Sequence, residues 1–152
     1  MMELATAKGC YKSIEKHPLG DANNFPVQWK NKFDVCIVAG LINSNHLDYQ
    51  IIEEMIMTTK QNGLIVFSSR FSYMGNYWYN FYLKEQEAEG RIKLIKSKDY
   101  FKYDTLGECV GRFSKTPCRT YAFKNLCPEI NGYKVKVEAN MTFSAFSKDN
   151  DA

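Results

Sequence analysis

The sequence lacks most of the short patterns that mark common functional sites. It contains no CxxC and no GxG, and its two histidines, His17 and His46, stand far apart. The chain therefore has no phosphate loop, which weighs against an unrelated nucleotide-binding α/β domain, and no metal site is expected. No apolar run approaches the roughly 20 residues that a membrane helix needs, so no membrane partner is expected. Five cysteines, an odd number, without a signal peptide predict reduced thiols in an intracellular, by default cytoplasmic, protein.

The charge balance is also unremarkable for a globular chain. The net charge is +3 over 152 residues, and the lysines are scattered, so the composition does not favour nucleic acid as a partner. The most basic stretch, "RIKLIKSKDYFK", alternates with apolar residues as a half-exposed strand does. Hydrophobic residues make up 45% of a chain long enough for one domain, which predicts a packed core.

The opening stretch, "MMELATAKGCYKSI", predicts a short helix that ends at a glycine. Met1, Leu4 and Lys8 share one face, and Gly9 suits the position just after a helix. About eight residues without an N-cap do not form a stable helix alone, so this helix is expected to pack against something. The following "YKSIEKHPL" is a weak strand candidate that Pro18 ends.

A βαβ unit follows. "FDVCIVAG" is continuously apolar in the way of a strand covered on both faces, and "LIVFSS" is a second buried strand. Between them, "HLDYQIIEEMIMTTKQNG" keeps helical spacing, with Asn45 as N-cap, Lys60 in the last turn and Gly63 as the stop. Strand, helix and strand within about thirty residues predict neighbouring parallel strands.

The last third predicts one more helix and several strands. "YMGNYWYNFYLKEQEAEG" is an aromatic helix that Gly90 stops, and "RIKLIKSKDYFKY" and "RTYAFKN" predict an antiparallel pair. "NGYKVKVEANMTFSAF" alternates strictly after a turn signal. We therefore expect a main domain over residues 1–126, a hairpin extension over 127–146 and a polar tail over 147–152.

Four of these pieces stand in a familiar order: "MMELATAKGCYKSI", "KFDVCIVAGLINSNHLD", "KQNGLIVFSSR" and "LKEQEAEGRIKLI". Over roughly residues 1–125 the chain resembles the C-terminal two-thirds of a class I S-adenosylmethionine-dependent methyltransferase. The likeness is to the methyltransferase-like group that includes the Williams–Beuren region methyltransferase. It implies an α/β fold with a partial Rossmann-like sheet, mostly parallel, with an antiparallel last strand pair and the added C-terminal hairpin.

The resemblance also implies a cofactor and its contacts. Members of the family bind S-adenosylmethionine through a Gly-rich turn and an acidic residue that would both lie before Met1, so the first strand–helix–strand unit is expected to be missing. The remaining cofactor contacts would come from Asp21, Ala39, Gly40 and Leu41. Asn43 and His46 would touch substrate. In the alternative interpretation, the residues from Asn43 to His46 only cap the following helix.

Two functions remain open. The chain is either a methyltransferase-like domain without the Gly-rich cofactor loop, which is expected to be inactive as a lone chain, or a catalytically silent structural or interaction subunit of a larger complex whose sheet a partner chain completes. In both, the strand from Val35 to Ala39 would have an open edge that invites pairing with another chain. A longer chain, another polypeptide or the hairpin from Tyr133 to Phe146 would complete the sheet, and that hairpin is also a candidate binding segment.

Overall fold

The computed structural model describes residues 2–21, 24–42, 47, 50–74, 77–102 and 116–128. The described helices are α1 (Met2–Ala7), α2 (Gln50–Thr58), α3 (Phe71–Met74) and α4 (Tyr77–Ala88), with a short 3-10 turn at Val27–Trp29. The described strands are β1 (Phe33–Ile42), β2 (Thr59–Arg70), β3 (Ile92–Lys102) and β4 (Thr116–Asn125).

The strands form one open, mixed sheet in the order β1-β2-β4-β3. β1 and β2 are parallel, with Cys36 opposite Ile65 and Val38 opposite Phe67. β4 runs antiparallel to both β2 and β3. The strands β1, β2 and β3 therefore point the same way, and the α/β class and the antiparallel last pair are confirmed.

The core lies between one face of the sheet and α2. Val38, Ile65, Phe67 and Phe123 supply the sheet side, and the rings of Phe67 and Phe123 stack at 5.9 Å. α2 inserts its apolar residues Ile51, Ile52, Met55 and Ile56, all of them buried. The spacing of these four residues is that of a helical stripe, which is why the sequence predicted the helix correctly.

The end of α2 differs from the prediction. The helix stops at Thr58, and β2 starts at the next residue, so Lys60 and Gly63 belong to the strand. The buried amide of Asn125 explains the stop, because its Nδ2 donates to the backbone oxygens of Ile56 (3.0 Å) and Thr59 (2.7 Å). Carbonyls that a helix end leaves unpaired are thereby satisfied by a residue from β4.

Gly63 has a different role from the predicted helix stop. A Cβ on this residue would lie 2.7 Å from the backbone oxygen of Asp34 and 2.9 Å from that of Lys60. Only glycine lets the backbones of β1 and β2 approach each other this closely near the start of the two strands. Lys60 pairs instead with the exposed Asp34 at 2.9 Å.

β1 was predicted to be covered on both faces, and this is wrong for the described residues. Val35 and Ile37 are 46% and 66% exposed because α2 packs against the opposite face. β3 is likewise more exposed than its half-buried pattern suggested, since only Ile92 is buried. Periodicity identifies a strand, but it does not say how many layers cover the sheet.

The segment after α1 contains no strand where "YKSIEKHPL" was a candidate. It is held instead by side chains: the ring of His17 meets Trp29 edge-on at 5.1 Å, and the Glu54 carboxylate accepts the backbone N–H groups of Gly20 and Asp21, both at 2.8 Å. These contacts replace the ladder hydrogen bonds that a strand would have made.

α1 ends at Ala7, and Gly9 follows it at φ +63°, as expected for a glycine just beyond a helix. It buries none of its side chains, and the packing partner expected for it is not found among the residues described above. The proposed cap Asn45 and the hairpin from Tyr133 to Phe146 lie outside the described residues, so those predictions and the domain boundaries stay predictions.

Candidate functional site at the carboxyl ends of the strands

The three parallel strands end at the same edge of the sheet, and a small cavity lies there. Its volume is about 40 Å³. The described residues that line it come from all four strands or directly from their ends: Gly40, Ile42, Ser68, Ser69, Arg70, Tyr100, Lys102 and Cys118. Ligands of open α/β sheets bind outside the carboxyl ends of the strands, which makes this cavity the leading candidate site.

Hydrogen bonds fix the wall between β1 and β2. The Gly40 N–H donates to Ser68 Oγ (3.1 Å), and Ser69 Oγ donates to the Ile42 backbone oxygen (3.1 Å). Both serines are buried, so these bonds satisfy polar groups that would be costly unpaired. The wall is therefore built before any ligand arrives.

Gly40 lies beside a cationic side chain of the wall. Its φ of +71° is a backbone conformation that is unfavourable for residues with a Cβ. The Lys102 Nζ lies 3.5 Å from the position that a Cβ on Gly40 would take. The positive φ thus favours glycine at this point of β1, and the Lys102 ammonium lies in ordinary van der Waals range of the Cβ position.

The chemistry of the wall is cationic and hydroxylic. Arg70 and Lys102 bring positive charge, and Ser68, Ser69 and Tyr100 bring hydroxyl groups. The described residues of the wall include no carboxylate and no imidazole. Such an arrangement can attract and orient a negatively charged group, but it offers no conventional general base.

The structure places the predicted site residues in different positions. Gly40 lines the cavity, and Ala39 and Leu41 are its neighbours on β1 and do not line the cavity. Asp21 lies elsewhere, against Glu54 of α2, and is not part of the wall. Asn43 and His46 lie outside the described residues. The cofactor and substrate roles of all six residues stay predictions.

Of the residues that line the wall, the sequence interpretation named only Gly40; it missed the polar and charged ones, namely Ser68, Ser69, Arg70, Tyr100 and Lys102. The available signal was positional: "SSR" follows a buried strand directly, and parallel strands end at one edge. Lys102 gave no such signal, because its strand was assigned to an antiparallel pair.

A second polar cluster joins α2 to the turn between α4 and β3. Arg91 pairs with the buried Glu53 through two nitrogens, one at 2.9 Å, and Tyr82 OH donates to the same carboxylate at 2.8 Å. Gln86 also accepts from Arg91. Burial, with the charge of Glu53 added to it, raises the pKa of the Tyr82 phenol, so it stays a neutral donor. Because the carboxylate is fully engaged, we assign this cluster a structural role.

A third group of titratable side chains consists of Cys36, Glu54 and His17. It lies beside the loop at Gly20 and Asp21, whose backbone N–H groups bind the Glu54 carboxylate. Burial raises the pKa of Glu54, against the two backbone N–H groups that lower it. Burial and then the charge of Glu54 raise the pKa of the Cys36 thiol to about 11. A thiol that stays protonated is a poor nucleophile, so Cys36 is not a catalytic candidate.

The described residues contain no group of three or more His, Cys, Asp or Glu side chains arranged to hold a metal ion. None of the helices within those residue ranges is long and apolar enough to cross a membrane.

Comparison with known proteins gives fold likenesses only. No protein-family model matches the sequence, and no curated protein does either. Among solved structures, the N-methyltransferase NodS from Bradyrhizobium japonicum WM9 is similar at 18% identity and a TM-score of 0.40, over 65% of this chain and 53% of that one.

The 30S ribosomal A1408 methyltransferase from an uncultured bacterium (UncKam) is similar at 18% identity and a TM-score of 0.42, over 70% of this chain and 61% of that one. The chain thus spans little more than half the length of both structures. At such identities and TM-scores, the likenesses carry no argument about family or activity.

Proposed function

We propose that this chain is a methyltransferase-like domain that transfers no methyl group as a lone chain. The observation that supports this most is the convergence of three parallel strand ends on the cavity beside Gly40. The sequence pieces that resemble class I methyltransferases include β1 and most of β2, and these two strands supply Gly40, Ile42, Ser68, Ser69 and Arg70 to the cavity. The assignment to methyltransferases is an analogy of sequence and fold, and activity is argued from the site.

The described residues do not fit S-adenosylmethionine. By the volume that one water needs, a cavity of about 40 Å³ has room for about three waters, whereas pockets for drug-sized ligands measure roughly 300–1,000 Å³. Among the described residues, the wall has no carboxylate for the ribose hydroxyls, and the sequence has no GxG for a Gly-rich turn at the amino-acid end. These deficits support an inactive lone chain, and we derive no methyl-transfer step from it.

The alternative function is a catalytically silent interaction subunit, and the two sheet edges favour it. The outer strand β3 carries Lys96, Lys98 and Asp99 and a register irregularity, features that discourage pairing. The other outer strand, β1, has no charged residue from Val35 to Ile42. An unguarded, apolar edge is suited to accept a strand from another protein chain.

We place that partner at the edge from Val35 to Ala39. Backbone hydrogen bonds to the outer side of β1 would supply affinity. The exposed side chains of Val35 and Ile37 would supply specificity, because both lie on the face that α2 leaves uncovered. A partner that covers this face would also complete the core on its second side.

Isothermal titration calorimetry with S-adenosylmethionine tests what the two functions share, namely that the lone chain does not bind this cofactor. The proposal expects no binding to the lone chain at saturating cofactor, and a clear binding isotherm would contradict both the inactive domain and the silent subunit. In that case Gly40→Ala should weaken binding, while Gly90→Ala should not. Gly90 has a similar φ, +70°, but nothing within 4 Å of its Cβ position, which makes it a matched control.

Sedimentation velocity tests the partner edge. Without its partner, the open edge should pair with other copies, so the lone chain should self-associate with rising concentration. Ile37→Lys should suppress this association. The matched control is Ile95→Lys, which changes a residue of similar exposure, 54%, on the guarded edge strand and should leave association unchanged. A wild-type chain that stays monomeric would contradict the open-edge proposal.

A further inference from the structure

The face of the sheet away from α2 is apolar over β1 and β2. Directly opposed residues of neighbouring strands point to the same face of a sheet. The register sets Val35 opposite Leu64 and Ile37 opposite Val66, on the face away from the core. Val35, Ile37 and Leu64 are 46%, 66% and 39% exposed. We call these four residues the apolar half of the face.

The other half of the same face is basic. Leu64 lies opposite Lys124 of β4, and Lys124 lies opposite Lys93 of β3. Lys96 and Lys98 follow on β3 and lie opposite the next two residues of β4 that point to this face. The three lysines of β3 are exposed, and Lys124 is half-buried. These four residues form the lysine row, which borders the apolar half directly.

The lysine row carries charge of one sign only. Among the described residues, the positions that the register assigns to this face include no acid. Asp99, the acid of β3, lies opposite Arg119 on the other face and pairs with it. The ion pairs between described residues involve Lys60, Arg91 and Arg119 and none of the lysine row. The row can therefore meet acidic groups of another molecule without giving up an ion pair of its own.

Guarding the sheet edge explains only part of the lysine row. Lysines on an outer strand discourage pairing with other chains, and Lys96 and Lys98 have that effect on β3. Lys124 needs a different explanation, because β4 has a neighbouring strand on each side and offers no free edge.

We propose that this face binds an amphipathic helix of a partner protein, with acidic residues along one flank of that helix. The inference deepens the interaction role proposed above and rests on it. Neighbouring strands lie about 4.8 Å apart, so β4 is about 10 Å from β1. A helix with its side chains is about 10–12 Å wide. A helix seated along β1 and β2 would therefore place its acidic flank above β4, where carboxylates would pair with the lysine row.

Other classes of ligand fit this face less well. A small molecule needs a cavity, and neither the cavity beside Gly40 nor a second one beside Arg91 is lined by the apolar half or the lysine row. A flat lipid surface would meet the long lysine side chains before the shorter valine and isoleucine side chains next to them. A nucleic acid would match the lysine row but not the apolar half.

The test is a ¹H–¹⁵N NMR titration of the full chain, kept dilute enough to be monomeric, with a synthetic helical peptide. This acidic peptide has leucines at helical spacing and glutamates along one flank, and a control peptide has lysines in place of the glutamates. We expect saturable shifts of the Ile37, Val66 and Lys124 amide signals with the acidic peptide. Binding of the control peptide should be about tenfold weaker or more, because like charges would face each other. No saturable shift with the acidic peptide, or equal affinity for both peptides, would overturn the proposal.

Variants locate the site. Lys124→Glu should weaken binding of the acidic peptide about tenfold or more and strengthen binding of the control peptide. Ile37→Ser should weaken both. The matched control is Lys84→Glu, which reverses an exposed lysine on α4, the helix whose Leu83 packs into the core with α2. If Lys84→Glu acts as strongly as Lys124→Glu, the peptides respond to net charge and the site does not exist. The amide spectrum of each variant shows directly whether it is folded.

Parallel titrations cover the other large ligands and separate this inference from the proposed function. Signal changes along the lysine row with phosphatidylserine vesicles or a single-stranded oligonucleotide, but not with the acidic peptide, would overturn the helix proposal. Self-association at the β1 edge without peptide binding would leave the proposed partner edge in place and remove only this inference. Peptide binding together with binding of S-adenosylmethionine would support this face and contradict the inactive-chain proposal.

Discussion

Replacing Arg91 by methionine should destabilise the fold strongly, since it leaves the Glu53 carboxylate buried without its cation. Glu53 is only 5% exposed, and the Arg91 side chain is 14% exposed. After the substitution, of the two groups shown bonding to this carboxylate, only the Tyr82 hydroxyl remains. The buried Glu53 carboxylate would then keep one hydrogen bond and lose the cation that binds both of its oxygens, so its charge would be poorly compensated.

The magnitude follows from measurements on comparable pairs. Removing one partner of a buried ion pair costs about 3–5 kcal/mol. Arg91 and Glu53 also line a second cavity of about 40 Å³, which lets some water reach the pair. The lower end, about 3 kcal/mol, is therefore the expected loss in the free energy of unfolding. That is a large part of the roughly 5–15 kcal/mol available to a domain.

Urea denaturation followed by circular dichroism measures the loss. The matched control is Arg119→Met, because Arg119 pairs with Asp99 through a similar guanidinium–carboxylate contact between β4 and β3. That pair is exposed to solvent, so its removal should change stability little. Equal losses in the two variants would refute the reasoning from burial.

A double variant separates the charge from the packing. Glu53→Gln removes the buried charge yet keeps an oxygen to accept from Tyr82. In the Glu53→Gln/Arg91→Met chain the loss should be clearly smaller than in Arg91→Met alone. If the double variant is as unstable as the single one, the aliphatic packing of Arg91, not its charge, holds this corner of the fold.

Three further predictions concern single positions. Asn125→Ala should cost about 2–4 kcal/mol by thermal or urea unfolding, since it removes two buried hydrogen bonds and one partly buried one, while a loss below 1 kcal/mol would deny its capping role. Gly63→Ala should destabilise the fold more than Gly90→Ala does in the same assay. A Cβ at position 63 would clash with backbone atoms, whereas a Cβ at position 90 would add only the strain of a positive φ, about 1–2 kcal/mol. The Cys36 thiol, with its pKa raised to about 11, should be alkylated by iodoacetamide at pH 8 far more slowly than the exposed Cys10, as mapped by mass spectrometry. The neutral thiol is favoured by the folded state, so this contribution to stability is full below the unfolded thiol's pKa and is lost as the pH rises through about 11.

Local pattern was enough for the kind and order of most elements. The stripe through Ile52 and Met55 predicted α2, the apolar run through Ile37 predicted β1, and Gly9 and Gly90 were correctly placed at helix ends. These signals depend on residues within a few positions of one another. Helical periodicity and the left-handed conformation after a helix are properties of short segments.

The boundaries and the burial of these elements depended on distant residues. α2 ends where Asn125 meets its last carbonyls, 66 and 69 positions away in the chain. No pattern around Lys60 or Gly63 contains that information, and both looked like ordinary end signals. The exposure of Val35 and Ile37 likewise depends on which layers exist, which the apolar run itself does not state.

The sequence by itself determined an α/β chain with one βαβ unit, an antiparallel strand pair and Gly40 at a strand end. Only the tertiary structure decided that Gly40 lies beside Lys102 and shares a cavity wall with Arg70, and that Glu53 needs Arg91. The physical reason is the same in each case. Charges and hydrogen bonds that join separate strands have no periodicity along the chain, so they become visible only when the sheet brings their residues together.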